Sequence, residues 1–161
     1  MNTPETAANL DALESEPSIQ LVTFSLKEEI FCLDILKVQE IIRGTDITPV
    51  PHTPSFVDGV ITLRGKIVPV IDLRTRFGMM RSEHSNATRV IVINVKHILL
   101  GLVVDAVHEV TVLPESAISP ATHMGNEMND YVSGVGKLHG RLVTLVDVDA
   151  IGTPLCGALA A

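Results

Sequence analysis

Aromatic residues are scarce in this chain. Its 161 residues include no tryptophan, one tyrosine and four phenylalanines. Nucleic-acid binders usually stack bases on aromatic side chains and track phosphates with a basic surface. Neither is available here, because 12 Lys and Arg face 19 Asp and Glu, for a net charge of −7. Nucleic acid is therefore not an expected partner. Long apolar runs are also missing. The longest, Ile98 to Val104, has seven residues, far short of the ~20 that a membrane helix needs. No basic residue precedes Lys27 and no apolar block opens the chain, unlike a secretory or transit segment. A cytoplasmic protein with no direct membrane insertion is the expectation. Cysteine is nearly absent. Cys32 and Cys156 are too few for a disulfide framework or a metal knuckle, and both read as small buried or terminal thiols.

What is present is valine and isoleucine, 20 and 14 of them, in a chain that is 46% hydrophobic. Branching at Cβ suits a pleated surface and costs rotamer freedom in helices. Residues 1–17 carry Glu5, Asp11, Glu14 and Glu16 without a basic residue, and read as a flexible acidic tail. Short apolar runs follow at 21–26, 30–36, 38–43, 59–63 and 67–73. A polar stretch at 74–88 interrupts them. The series then restarts at 90–95, 98–104, 107–113, 132–138 and 142–148. Turn residues separate the runs, a pattern of sandwiches and barrels.

The restart is a repeat. A shift of 69 residues lays Leu21–Ile41 on Val90–Val110 without a gap and matches Lys27 with Lys96, Leu33 with Leu102, Val38 with Val107 and Glu40 with Glu109. A shift of 75 lays Gly59–Leu73 on Gly134–Val148, with glycine, valine, leucine and aspartate coinciding. Between them, Ile47-Thr48-Pro49 resembles Ile118-Ser119-Pro120. Binary patterning alone does not dictate matched glycines and aspartates. The expectation is two units of about 65 residues, roughly 18–85 and 86–150, each a small barrel that hides its strand edges, with 150–161 as a C-terminal segment. Arg64-Gly65 and His139-Gly140 are placed as hairpin turns. Asp72 is placed as the cap of a short helix ending near Gly78, and Asp147 as the start of a similar terminal helix broken by glycine and proline.

Catalytic constellations are not found in the sequence. The six histidines (52, 84, 97, 108, 123 and 139) lack ligand spacing. There is no phosphate loop and no nucleophile elbow. Glu28 and Glu29 are adjacent and do not face each other. No enzyme activity, cofactor or metal is expected. What remains is a binding surface. Val38, Gln39, Glu40 and Ile41 alternate, so one face of that strand is a candidate for exposure. Arg64, aligned with His139, either stands as a solvated turn residue or pairs with Glu40 if their strands adjoin. Such a surface pair contributes at most ~1 kcal/mol, so its value would lie in shaping a contact.

Several segments resemble the CheW family of chemotaxis coupling proteins. They are Asp34-Ile-Leu-Lys-Val-Gln-Glu-Ile-Ile42, Phe56-Val-Asp-Gly-Val-Ile-Thr-Leu-Arg-Gly65, Ile67-Val-Pro-Val-Ile-Asp-Leu73 and Gly101-Leu-Val-Val-Asp-Ala-Val107. The similarity runs from about Gln20 to Val148. The family's usual Asn-Leu-Arg-Gly is Thr62-Leu-Arg-Gly65 here, a mild departure. The resemblance implies an all-β fold of two intertwined five-stranded barrels, each similar to a Src homology 3 barrel, with short helices and a hydrophobic core between the barrels. It implies a non-enzymatic bacterial adaptor that bridges the cytoplasmic tip of a methyl-accepting chemoreceptor to the regulatory domain of the kinase CheA. Such an adaptor is cytoplasmic and recruited to receptor arrays at the inner membrane. By position, Val38, Glu40, Gly59, Arg64 and Val110 match family positions of receptor or kinase contact. Val38 and Val110 would offer apolar surface, Glu40 and Arg64 would shape it, and Gly59 would permit close backbone approach. Alternatives are a CheW-like adaptor of another motility or developmental pathway, a fragment of a larger kinase or CheW–receiver fusion, and, from a different class, a small β-barrel enzyme or nucleic-acid binder.

Overall fold

The computed structural model describes residues 17–43, 47–81, 83–120 and 130–152. The acidic segment up to residue 16, His123 and Cys156 lie outside them. Each of the ten apolar runs contributes a strand: β1 (Ser18–Leu26), β2 (Glu29–Asp34), β3 (Val38–Arg43), β4 (Val57–Leu63), β5 (Lys66–Asp72), β6 (Arg89–Val95), β7 (Ile98–Val104), β8 (Ala106–Pro114), β10 (Val132–Leu138) and β11 (Arg141–Val146). An eleventh, β9, is only Ser119–Pro120. The run at 30–36 is not extended throughout. The Asp34 carboxylate accepts the Leu36 N–H at 2.9 Å, and this cap turns Ile35–Lys37 into a single 3-10 turn.

Two sheets form, ordered β8-β1-β2-β11-β10-β9 and β3-β6-β7-β5-β4. The repeat governs their register. Leu26 faces Glu29 in one sheet and Val95 faces Ile98 in the other, a shift of 69. Val57 faces Ile71 and Val132 faces Val146, a shift of 75. The bulges repeat as well: between Val57 and Gly59 as between Val132 and Gly134, and between Val38 and Glu40 opposite the counterpart of the Val22/Phe24 irregularity. The five expected strands per barrel become six in one sheet because Ser119–Pro120 forms a short strand on β10. Its counterpart Thr48 makes a single bridge to Val60.

The sheets do not follow the division of the chain near residue 85. β1 and β2 join the later strands β8 to β11, whereas β6 and β7 join the earlier strands β3 to β5. Each unit thus lends its first hairpin to the other, which is the intertwining of the two barrels. Each lent hairpin docks through one antiparallel pair, β1 on β8 or β6 on β3, and one parallel pair, β2 on β11 or β7 on β5.

Three clusters of buried side chains fill this arrangement. Ile61, Val68, Val70, Val90, Val92 and Val103 occupy one barrel, and Leu21, Cys32, Leu113 and Val143 the other. The largest cluster lies between them and draws on both sheets through Phe24, Phe31, Leu33, Ile71, Ile91 and Leu102. The few aromatics are concentrated here. Phe24, Phe31, Phe77 and Tyr131 follow one another at ring-centre distances of 5.8, 5.6 and 5.9 Å. Among the described residues, the hydrophobic clusters inside the barrels are built of aliphatic side chains and the Cys32 thiol, with no aromatic ring.

Candidate functional site

The β4–β5 hairpin turns through Arg64 at φ 52° and Gly65 at φ 79°, a pair of left-handed residues as a two-residue hairpin with matching strand twist demands. Glycine adopts that conformation freely, whereas arginine is strained by it. The turn carries Arg64 toward β3, at the opposite edge of the same sheet. Arg64 Nη2 lies 3.4 Å from Glu40 Oε1, so the sheet has curled enough to bring its two edges within side-chain reach here. The guanidinium is largely exposed and the carboxylate half-buried. Gln39, Leu63, Lys66 and Leu99 join them around a depression of about 170 Å³.

The other candidates fall around this pair with different burial. Val38 lies two residues before Glu40 on β3 and packs partly against the central core. The exposed side chains of β3 are Gln39, Ile41 and Arg43, so the alternation holds but Val38 is not on its open face. Gly59 is buried. A Cβ there would come within 2.1 Å of the Thr48 carbonyl oxygen, so the close backbone approach is made by the chain's own Thr48–Val60 bridge. Val110 is 54% exposed on β8, an edge strand of the other sheet. The structure thus joins Arg64 to Glu40 and places Val110 on a separate strand edge.

The repeat carries a second such site that inspection of single residues misses. His139 Nε2 lies 3.4 Å from Glu109 Oε1, and these residues are the counterparts of Arg64 and Glu40. His108, Leu138, Arg141 and Ile30 line a depression of about 250 Å³ around them, matching Gln39, Leu63, Lys66 and Leu99. Exposed Ile67 and Leu142 are also counterparts. The signal was present in the alignment of Arg64 with His139 and Glu40 with Glu109. The buried Thr23 hydroxyl fixes the bulge beside Glu109, accepting its N–H at 2.9 Å and donating to its carbonyl at 2.8 Å.

Charged groups also tie the barrels together. Arg74 Nε donates to Asp105 at 2.9 and 3.1 Å, and Nη2 contacts the same carboxylate. Asp105 further accepts the Lys27 N–H at 2.8 Å, linking the helical turn Leu73–Arg76 to the β1–β2 hairpin. Burial works to raise the Asp105 pKa, but the Arg74 hydrogen bonds, the Lys27 N–H and the nearby positive charge outweigh it and hold the carboxyl below its usual value. Arg81 reaches Asp58 and Asp72, and His84 lies 3.5 Å from Asp58. Burial pushes the Cys32 thiol up to about 12. Among the described residues, no three His, Cys, Asp or Glu side chains are grouped to hold a metal.

This paired architecture has known relatives. The CheW-like domain matches residues 20–153, almost all of the described chain. The chain belongs to the CheW family. The chemotaxis protein CheW of Klebsiella aerogenes is 40% identical over 134 residues, covering 82% of this chain and 80% of that protein. The CheW of Rhizobium meliloti is 35% identical over 133 residues, covering 82% and 86%. A crystal structure of the scaffolding protein TtCheW from Thermoanaerobacter tengcongensis superposes with a TM-score of 0.76 at 38% identity, covering 81% of this chain and 89% of that one. Membership of the CheW family makes this chain a chemotaxis scaffolding protein.

Proposed function

We propose that this CheW-family chain couples methyl-accepting chemoreceptors to the regulatory domain of the kinase CheA, without enzymatic activity of its own. The observation that carries the reading is the pair of equivalent but chemically distinct barrel ends, Arg64 with Glu40 and His139 with Glu109. A linker between two partners needs two faces, and a fused repeat supplies them. Arg64, Glu40 and Val110 contribute contact surface directly. Val38 supports it from the edge of the central core, and Gly59 holds the Thr48 segment in place. An exposed valine such as Val110 suits the apolar stripe of a receptor helix. Among the described residues, no helix is long and apolar enough to cross a membrane, and recruitment to a membrane array proceeds through the receptor.

Arg64→Ala and Val110→Asp test the assignment. Both side chains are exposed, so stability changes by no more than about 1 kcal/mol. Pull-down by a receptor signalling fragment or by the kinase regulatory domain weakens for at least one variant. Unchanged capture of both folded variants by both partners contradicts the assignment. Val38→Asp is a poorer probe, because it also places a carboxylate against the core.

A further inference from the structure

One side chain breaks the internal symmetry in a way that packing does not explain. Under the 75-residue shift, Leu73 corresponds to Val148 and Arg76 to Ile151. Leu73, Val148 and Ile151 are all buried in the central core. Arg76 therefore stands where the other unit has a fully buried aliphatic residue. Its guanidinium carbon lies 4.2 Å from the ring centre of Phe56 and 4.6 Å from that of Tyr131. These rings are counterparts too. The carbonyl of Phe56 accepts the Asp72 N–H and that of Tyr131 accepts the Asp147 N–H, both at 2.8 Å. Tyr131 is backed in turn by Phe77.

The two rings hold the cation by its face and offer its N–H groups nothing in the guanidinium plane. Nε is buried and has no hydrogen-bond partner, a rare condition for a buried donor. The two carboxylates that bind this helical turn have other partners. Asp72 receives Arg74 N–H, the Thr75 hydroxyl and Arg81, and Asp105 receives Arg74. Arg76 as a whole remains partly exposed and Nε is its only nitrogen that is buried and unpartnered, so a group from outside reaches the guanidinium through its Nη groups.

We infer that Arg76 is a binding residue for the carboxylate of an acidic side chain on a protein partner. This rests on the adaptor reading, under which the incoming oxyanion belongs to a protein. A guanidinium presents its donors as a rigid planar fork that matches a carboxylate. Contact with two rings restricts that fork before the partner arrives, so less entropy is lost on binding.

The test measures affinity of the full chain for a receptor cytoplasmic fragment and, separately, for the kinase regulatory domain. Arg76→Gln weakens one of the two by at least about tenfold, as removal of a charge-assisted hydrogen bond does. Arg76→Glu weakens it further, and Arg76→Lys falls between. The salt dependence of that interaction becomes shallower in Arg76→Gln. A measurement on the wild-type chain covers the case in which a variant folds poorly: the Nε–H resonance of Arg76 in arginine-labelled protein moves when that partner is added. Wild-type affinity of Arg76→Gln and Arg76→Glu for both partners, or an Nε–H resonance unmoved at saturation with each, overturns the inference alone. Failure of the wild-type chain to bind either partner overturns the adaptor reading beneath it.

Discussion

At the scale of single residues, burial separates side chains that shape the fold from those that face partners. Gly59 belongs to the first kind. Its φ of +148° and the 2.1 Å approach of a hypothetical Cβ to the Thr48 oxygen make even alanine unacceptable. Gly59→Ala costs at least about 2 kcal/mol and lowers the melting temperature by roughly 5 °C or more. A calorimetric scan identical to wild type contradicts that. Cys32 is also of the first kind. With its pKa near 12 the thiol is protonated at neutral pH and shielded, so a Cys156→Ser chain resists thiol reagents until it unfolds. Rapid stoichiometric labelling of the native protein shows the opposite. Sequence reading anticipated the buried character of Cys32 and left Arg64 open between a solvated turn residue and the partner of Glu40 that the structure shows. It did not anticipate that Val38 leans on the core. Alternation along β3 defines two faces, but which one is covered depends on the neighbouring barrel, and no local pattern encodes that.

Among elements, the strands were the most legible part of the molecule. Runs of valine and isoleucine between turn residues marked ten of them, and the two offsets, 69 and 75, reappear unchanged in the pairing registers. Partner choice was not legible residue by residue. β1 pairs with β8 and β6 with β3, far apart in sequence, and it was the family resemblance that implied the exchange. The tie between Arg74 and Asp105 was also invisible, because the repeat does not keep its charges: the counterpart positions are Asp149 and Leu36, and Asp149 pairs instead with Lys37 at 3.3 Å. It joins the turn after β5 to the link between β7 and β8 and to the β1–β2 hairpin. A carboxyl held below its ordinary pKa binds fewer protons folded than unfolded, so its stabilisation is complete above the unfolded value of ~3.9 and is lost as pH falls through the folded value. Asp105→Asn therefore destabilises the chain by about 2 kcal/mol at neutral pH, since it removes hydrogen bonds between charged groups. It also flattens the fall in stability below pH 4. Urea unfolding from pH 2 to 7 checks both, and parallel curves for variant and wild type contradict the role given to this tie.

For the whole molecule, the scarcity of aromatics acquires a location. All five, Phe24, Phe31, Phe56, Phe77 and Tyr131, lie in or against the shared core between the barrels. The barrels themselves are small and aliphatic. Two such barrels exchanging hairpins give one body with two related ends, and the ends differ where the repeat differs, arginine at one and histidine at the other. The central claim is that this body links two partners. An immobilised receptor cytoplasmic fragment is challenged with the kinase regulatory domain, with and without the chain. The chain is expected to bind each partner alone and to raise retention of the kinase domain on the receptor surface. Equal retention with and without the chain, under conditions where it is folded, contradicts the account.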